Sequence, residues 1–383
     1  MVDSSVSIDN ARLNIFFRAD ASLKIGIGHV MRCLTLAQAL RDRGAYCRFI
    51  CREHAGHLLD WIRQAGFEVT ALPLSDKRSH IDLPAYEPVL PHAEWLGSDW
   101  QTDASQTIAS LGDCHPDWVI VDHYGLDHRW ESQLRSVCEK IMVIDDLANR
   151  CHDCDVLLDQ NYYRDQDQRY QAWLPKHCKT LLGPAYILLR PEFEKAKQGQ
   201  RIRDGMVKRV LVFFGGSDPK NQTQTVLDAL KKMRLLDVAV DVVVTQANPN
   251  RHSIKLLCDQ VPGATYHCKV SNMAELIVNA DLGIGAGGSA MWERCYLGLP
   301  TITVVFAKNQ VRTTEDVAQL GVIEYLGWAD LLGESDYQKA ISGLISNAKK
   351  MRQISGKAVT MVQKQCTNLV VDEILNLQQH KQL

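Results

Sequence analysis

Leu13-Asn14-Ile15-Phe16-Phe17-Arg18 is a short apolar run that stops at a charge, and Gly26-Ile27-Gly28-His29 follows it as a glycine-rich turn. From Val30 to Arg43, the residues Met31, Leu34, Ala37 and Leu40 recur at the spacing of one helix face. Gly44 stops that helix, and Tyr46 to Cys51 reads as a second strand. A helix over Leu58 to Ala65, closed by Gly66, leads to a third strand at Phe67 to Leu72. Strands separated by helices do not close as hairpins. The alternation therefore predicts a parallel sheet with helices on both faces.

The same alternation continues outward. Residues 73–112 are less regular, with several prolines, Trp95, Trp100, His80 and His92, and predict a loop followed by a helix at Thr102 to Leu111. Strands resume at Trp118 to Asp122 and, after a helix at Trp130 to Lys140, at Ile141 to Asp146. Both end in acidic residues, as expected where polar groups enter the crevice at the carboxyl edge of an open sheet. Composition shifts at Arg190-Pro191-Glu192-Phe193 and the basic stretch Lys195 to Arg203, which predicts a linker. A second set begins at Arg209 to Phe214. It passes through the helix Thr223–Met233, the strand Val238–Thr245, helices at Arg251–Asp259 and Met273–Asn279, and strands at Ala264–His267, Leu282–Ile284 and Thr301–Phe306. The expected architecture is two doubly wound Rossmann-like α/β domains facing across a cleft: residues 1–190, a linker at 191–207, and residues 208–383.

Composition bounds the function. The 383 residues, 46% hydrophobic and 23% charged, suit a soluble globular enzyme of two domains. Forty-three basic against 45 acidic residues argue against nucleic acid as a partner. No apolar run reaches the roughly 18 residues of a membrane span. The stretch Met1 to Asn10 lacks a signal-peptide pattern, so a cytoplasmic protein without a membrane partner is expected. Most of the twelve cysteines, such as Cys33, Cys47, Cys51 and Cys295, read as small buried hydrophobes. Cys151-His152-Asp153-Cys154 has the spacing of a metal or redox pair. No second pair follows at finger spacing, so it reads as a turn before Val156-Leu157-Leu158, and no metal is expected.

Three glycine loops fall between a predicted strand and helix, where unpaired N–H groups and the helix dipole favour an anion. The first, Gly26-Ile27-Gly28-His29, lacks the third glycine of a dinucleotide fingerprint. The second is Gly215-Gly216-Ser217-Asp218-Pro219, and the third Gly285-Ala286-Gly287-Gly288-Ser289. Neither is a Walker loop, for no Gly-Lys-Ser/Thr is present. Gly215, Gly216, Ser217, Gly287, Gly288 and Ser289 could donate to a diphosphate. Glu293, four residues after Ser289 on the same helix face, could take both ribose hydroxyls. The alternative is that these glycines serve only tight turns. His29 opens a helix. Its N-terminal position disfavours the imidazolium and suits a general base projecting into the cleft, the alternative being a helix-cap histidine.

At this point a family resemblance is legible. The chain resembles the nucleotide-sugar hydrolases of pseudaminic acid biosynthesis, which act on UDP-2,4-diacetamido-2,4,6-trideoxy-beta-L-altropyranose. The residues that carry it are Phe17 to Ser22, Ile25 to Arg32, Val121-Asp122-His123-Tyr124-Gly125 and Ile144-Asp145-Asp146. Gly183-Pro184-Ala185-Tyr186, Leu189 to Phe193, Phe214 to Asp218, Gly287-Gly288-Ser289 with Glu293, and Lys308-Asn309-Gln310 extend it over both domains. The C-terminal glycine loops alone are shared with many UDP-sugar glycosyltransferases of the two-domain GT-B kind. The resemblance implies a GT-B, metal-independent hydrolase without a cofactor that releases UDP and free sugar with inversion. It places the catalytic base at His29. Tyr124 and Asn309 then line the sugar site, and Arg190 and Glu293 bind the nucleotide sugar. Arg18, Asp20, Gly26, Gly28 and Arg32 are expected among the substrate-binding residues. The UDP-sugar is the expected partner, and a monomer the expected assembly. Competing readings are a GT-B UDP-sugar glycosyltransferase, a UDP-sugar 2-epimerase and a binding module without turnover. The first would need an acceptor surface, and no amphipathic segment marks one near Ile25 to Arg41.

Overall fold

Ile15, Phe16 and Phe17 are all buried, which happens only when both faces of a strand are covered. The computed structural model describes residues 12–74, 90–362 and 366–379. Met1 to Asn10 and His80 lie outside them. The first sheet contains β1 (Asn14–Ala19), β2 (Tyr46–Arg52), β3 (Glu68–Leu72), β4 (Trp118–Asp122), β5 (Lys140–Ile144), β6 (Val156–Asp159) and β7 (Lys179–Leu182). Their order is β3-β2-β1-β4-β5-β6-β7. The pairings from β3 through β6 are all parallel, and Ala19 at the end of β1 stands opposite Asp122 at the end of β4.

The second sheet contains β8 (Arg209–Phe213), β9 (Ala239–Val244), β10 (Ala264–Cys268), β11 (Leu282–Ala286), β12 (Thr301–Val305) and β13 (Glu324–Trp328). Its order is β10-β9-β8-β11-β12-β13, again with parallel pairings. Val210 and Val212 of β8 join one hydrophobic core and Leu211 another, so the period of two along the strand feeds both sheet faces. In each sheet the winding reverses once, between β1 and β4 and between β8 and β11. Such a switch point is where an open parallel sheet leaves a crevice at its carboxyl edge.

The chain divides into two compact units. One comprises the described residues of Met1–Leu158, Gln171–Thr180 and Val371–Leu383; the other comprises Asp159–Tyr170 and Leu181–Val370. These bounds differ from those expected at 190 and 208. The helix Cys366–Gln379 is shared. Thr367 Oγ1 accepts the Leu189 amide at 2.8 Å in the second unit. In the first unit, Asp372 pairs with Arg43 at 2.8 Å, and Leu377 O accepts Lys140 Nζ at 2.6 Å.

The segment expected as a linker is packed structure. Pro191–Gln198 is a helix with Phe193 fully buried. The buried Arg203 guanidinium donates to the carbonyls of Ile277, Ala280 and Leu297 at 2.7–2.9 Å. The helix expected over Trp130 to Lys140 is shorter, His128–Leu134. Arg135 is drawn away to Asp153 and Asp155, and the Lys140 amide bonds Asp117 O at 3.1 Å as the chain enters β5. The helix before β4 begins at Trp100, where the Asp99 carboxylate accepts the Thr102 amide at 2.7 Å and caps it.

Candidate active site

The β1-to-β4 switch point carries an imidazole on a carboxylate. His29 lies in the first turn of the helix Gly28–Asp42, and Asp122 is the last residue of β4. His29 Nδ1 is 2.6 Å from Asp122 Oδ1. Arg32, one helical turn on, donates to both oxygens of the same carboxylate, Nε at 2.5 Å and Nη2 at 2.6 Å. Burial alone would raise the Asp122 pKa. The Arg32 guanidinium and His29 outweigh it and hold this carboxyl well below the usual range. An ionised carboxylate only accepts, so Nδ1 carries the proton and Nε2 the lone pair. Nε2 has no hydrogen-bond partner among the described residues.

Tyr124 stands edge-on to the His29 ring at 4.6 Å, and its hydroxyl donates to Asp146 at 2.5 Å. Burial and the Asp146 carboxylate push its pKa well up, so the phenol stays protonated. Gly26 adopts φ +82°, a left-handed conformation that glycine tolerates, and its amide bonds Ser22 O at 2.8 Å. Gly28 faces open space, and no side chain caps the helix it starts.

Arg18 and Asp20 were expected among the substrate-binding residues. Both are fully buried beneath this surface. Arg18 pairs with Asp20 at 2.7 Å and with Asp103 at 2.7 Å, and Arg52 donates to the same Asp103 oxygen at 2.6 Å. Their charged atoms are taken up by one another and by Asp103, so they form a buried frame under the switch point. Arg32, also buried, acts on Asp122. His123 joins the frame: its Nδ1 accepts the Gly125 amide at 3.0 Å, and its Nε2 lies 3.4 Å from Asp20. Burial brings its pKa down to about 3.

The second unit presents two glycine loops at the β8-to-β11 switch point, and they differ. After Gly215-Gly216-Ser217, the Asp218 carboxylate accepts the amides of Gln222 and Thr223 at 2.9 Å and so caps the helix Gln222–Met233 internally. The helix Ser289–Tyr296, after Gly287-Gly288, has neither a side-chain cap nor an acidic residue in its first turn. Gly288 has φ +79°, and a Cβ on Gly287 would press on Thr314 Oγ1 at 3.1 Å. Glu293, one turn in, meets Arg190 at 3.3 Å. Burial raises its carboxyl pKa while Arg190 opposes the rise. Asn309 lies in the first turn of the helix Lys308–Gln319 and belongs to this unit, whereas Tyr124 belongs to the first.

Sequence reasoning did not select Asp122 as a site residue. The available signal was an ionisable residue ending the apolar strand Trp118-Val119-Ile120-Val121. Cys151 is exposed and Cys154 buried with its sulfur 3.5 Å from that of Cys178. Among the described residues, no group of three or more His, Cys, Asp and Glu side chains could hold a metal ion. No described helix is long and apolar enough to cross a membrane.

Residues 210–372 match the glycosyltransferase family 28 C-terminal domain. MurG of Acinetobacter baumannii superimposes with a TM-score of 0.64 at 14% identity, covering 95% of this chain and 99% of that one. The fold is GT-B. The resemblance to the nucleotide-sugar hydrolases is borne out by sequence. The UDP-2,4-diacetamido-2,4,6-trideoxy-beta-L-altropyranose hydrolase of Campylobacter jejuni is 25% identical over 82% of this chain and 99% of its own length. An uncharacterized protein of Methanocaldococcus jannaschii is 26% identical over 78% of this chain, and the match spans 57% of that protein.

Proposed function

We propose that this GT-B protein is a nucleotide-sugar hydrolase that cleaves the anomeric bond of UDP-2,4-diacetamido-2,4,6-trideoxy-beta-L-altropyranose. The observation that carries the reading is the His29 imidazole, held by Asp122 through Nδ1–H with its Nε2 lone pair unpartnered. A water donating to Nε2 loses its proton there as its oxygen attacks C1 from the face opposite the diphosphate. The C1–O bond breaks, UDP leaves with the electron pair, and the sugar is released with inverted configuration. UDP is a stabilised anion, so the reaction needs neither a general acid nor a metal. Charge developing on the diphosphate is met by the Gly287-Gly288-Ser289 loop at the uncapped helix start, where the Gly287 amide is itself given to Val304 O at 2.8 Å, with Gly215-Gly216-Ser217 as further donors and Glu293 on the ribose. Arg190 fixes Glu293, while Tyr124 and Asn309 contact the sugar. Gly26 and Gly28 keep the His29 loop open to substrate.

The purified chain incubated with the UDP-diacetamido sugar and no acceptor should release UDP and free sugar, followed by NMR. An acceptor requirement would favour a glycosyltransferase, and sugar interconversion without UDP release an epimerase. His29→Ala should lower kcat by at least about 10²-fold while UDP affinity is kept. Full turnover in that variant would remove His29 from the chemistry.

A further inference from the structure

Three aromatic rings cluster with that of His29. The Tyr124 ring, edge-on to His29, is stacked by Trp95 at 5.7 Å between centroids and 30° between planes. His92 closes the cluster, 5.3 Å from Tyr124 and 4.6 Å from Trp95. Trp95 and His92 come from the 3-10 turn Ala93–Leu96 and the residue preceding it. The turn is anchored on three sides. Leu96 is buried beneath it. Gly97 sits at φ +71°, where a Cβ would lie 2.7 Å from the His54 ring. The His92 carbonyl approaches Gly125 so closely that a Cβ there would lie 2.9 Å away. Trp95 therefore rests on a packed support, with its indole partly exposed.

The faces of these rings carry no polar group. The Tyr124 hydroxyl is given to Asp146, and His92 Nδ1 is buried. Carbon is what the wall offers. A water held about 3 Å from His29 Nε2, with the anomeric carbon about 3 Å beyond it, brings a hexose within reach of these rings. A hexose hydroxyl laid against a ring face would lose a hydrogen bond to water and find none in return, whereas a methyl group gains contact.

We propose that Trp95, backed by Tyr124 and His92, is the specificity-determining residue of the sugar site and selects hexoses bearing a C6 methyl or acetamido methyl groups over polyhydroxylated ones. This rests on the reading of the His29 surface as the sugar site. The test separates binding from turnover by using His29→Asn as the background. Calorimetry then compares UDP-2,4-diacetamido-2,4,6-trideoxy-beta-L-altropyranose, UDP-glucose and UDP. Adding Trp95→Ala should weaken the first about tenfold or more and the second less than about threefold, consistent with the worth of a few methyl contacts. Trp95→Phe should restore most of the loss, and UDP affinity should stay constant in all variants, which reports intact folding. Equal weakening of both sugars, no weakening, or failure of both to bind would overturn the proposal. Trp95-dependent selectivity in a protein that never releases UDP would sustain it and instead overturn the hydrolase reading.

Discussion

Asp122 carries one negative charge shared among His29 Nδ1, Arg32 Nε and Arg32 Nη2. Its role is to fix a tautomer, which an isosteric amide cannot guarantee. Asp122→Asn should leave the fold intact and UDP binding unchanged while lowering kcat at least about tenfold, measured by UDP release; a wrongly protonated imidazole costs far more in the serine-protease triad. An unchanged kcat would mean that the dyad orients nothing. His123 governs stability in acid. Its folded pKa of about 3 lies below the 6.5 of a free imidazole, so between those values the unfolded chain binds a proton that the folded one refuses. Its contribution is complete above about pH 6.5 and is lost as pH falls toward 3, by up to about 1.4 kcal/mol per pH unit. His123→Gln, which can still accept from Gly125 but does not titrate, should flatten the urea-unfolding stability between pH 6.5 and 4.5. Below that window the unfolded chain also begins to protonate Asp20, Asp122 and Asp145, whose carboxyls stay ionised in the folded protein, and their contribution to stability is lost as well.

Among the elements, the two C-terminal glycine loops show how one sequence pattern serves two ends. In the helix Gln222–Met233 the Asp218 carboxylate accepts the amides of Gln222 and Thr223 and the Thr223 hydroxyl, so these first-turn donors are satisfied without ligand. The helix Ser289–Tyr296 has no such partner, and its amides remain available to an anion. Asp218→Ala should destabilise the second unit by about 1–2 kcal/mol in urea titration, the usual worth of an N-cap. A change below a few tenths would show that the carboxylate caps nothing. Both loops were visible as glycine clusters after apolar strands. Which of them was internally satisfied was not visible, because Asp218 reaches the amides only through its own left-handed backbone, φ +42°.

At the scale of the whole molecule, the helix Cys366–Gln379 starts in one unit and ends in the other. Deleting Val371–Leu383 removes the Arg43–Asp372 and Lys179–Glu373 pairs and the Lys140–Leu377 bond from the first unit. The first unit should then melt earlier and be cleaved sooner in limited proteolysis, while the second keeps its resistance; equal resistance of both would show that the segment adds nothing. The alternation of short apolar runs with helical spacing was enough to give two doubly wound sheets, because parallel pairing needs a helix between strands and each period is written locally. His29 and the glycine loops were legible for the same reason: each lies at a strand-to-helix boundary, whereas Tyr124 was legible only through the family resemblance. Only the tertiary structure decided that Arg18 and Asp20 lie beneath the site, that Asp122 holds His29 from 93 positions away, and that Trp95 stacks on Tyr124. Such facts depend on which strands lie side by side and on which charges find partners in the interior, and local sequence patterns do not encode contacts across those distances.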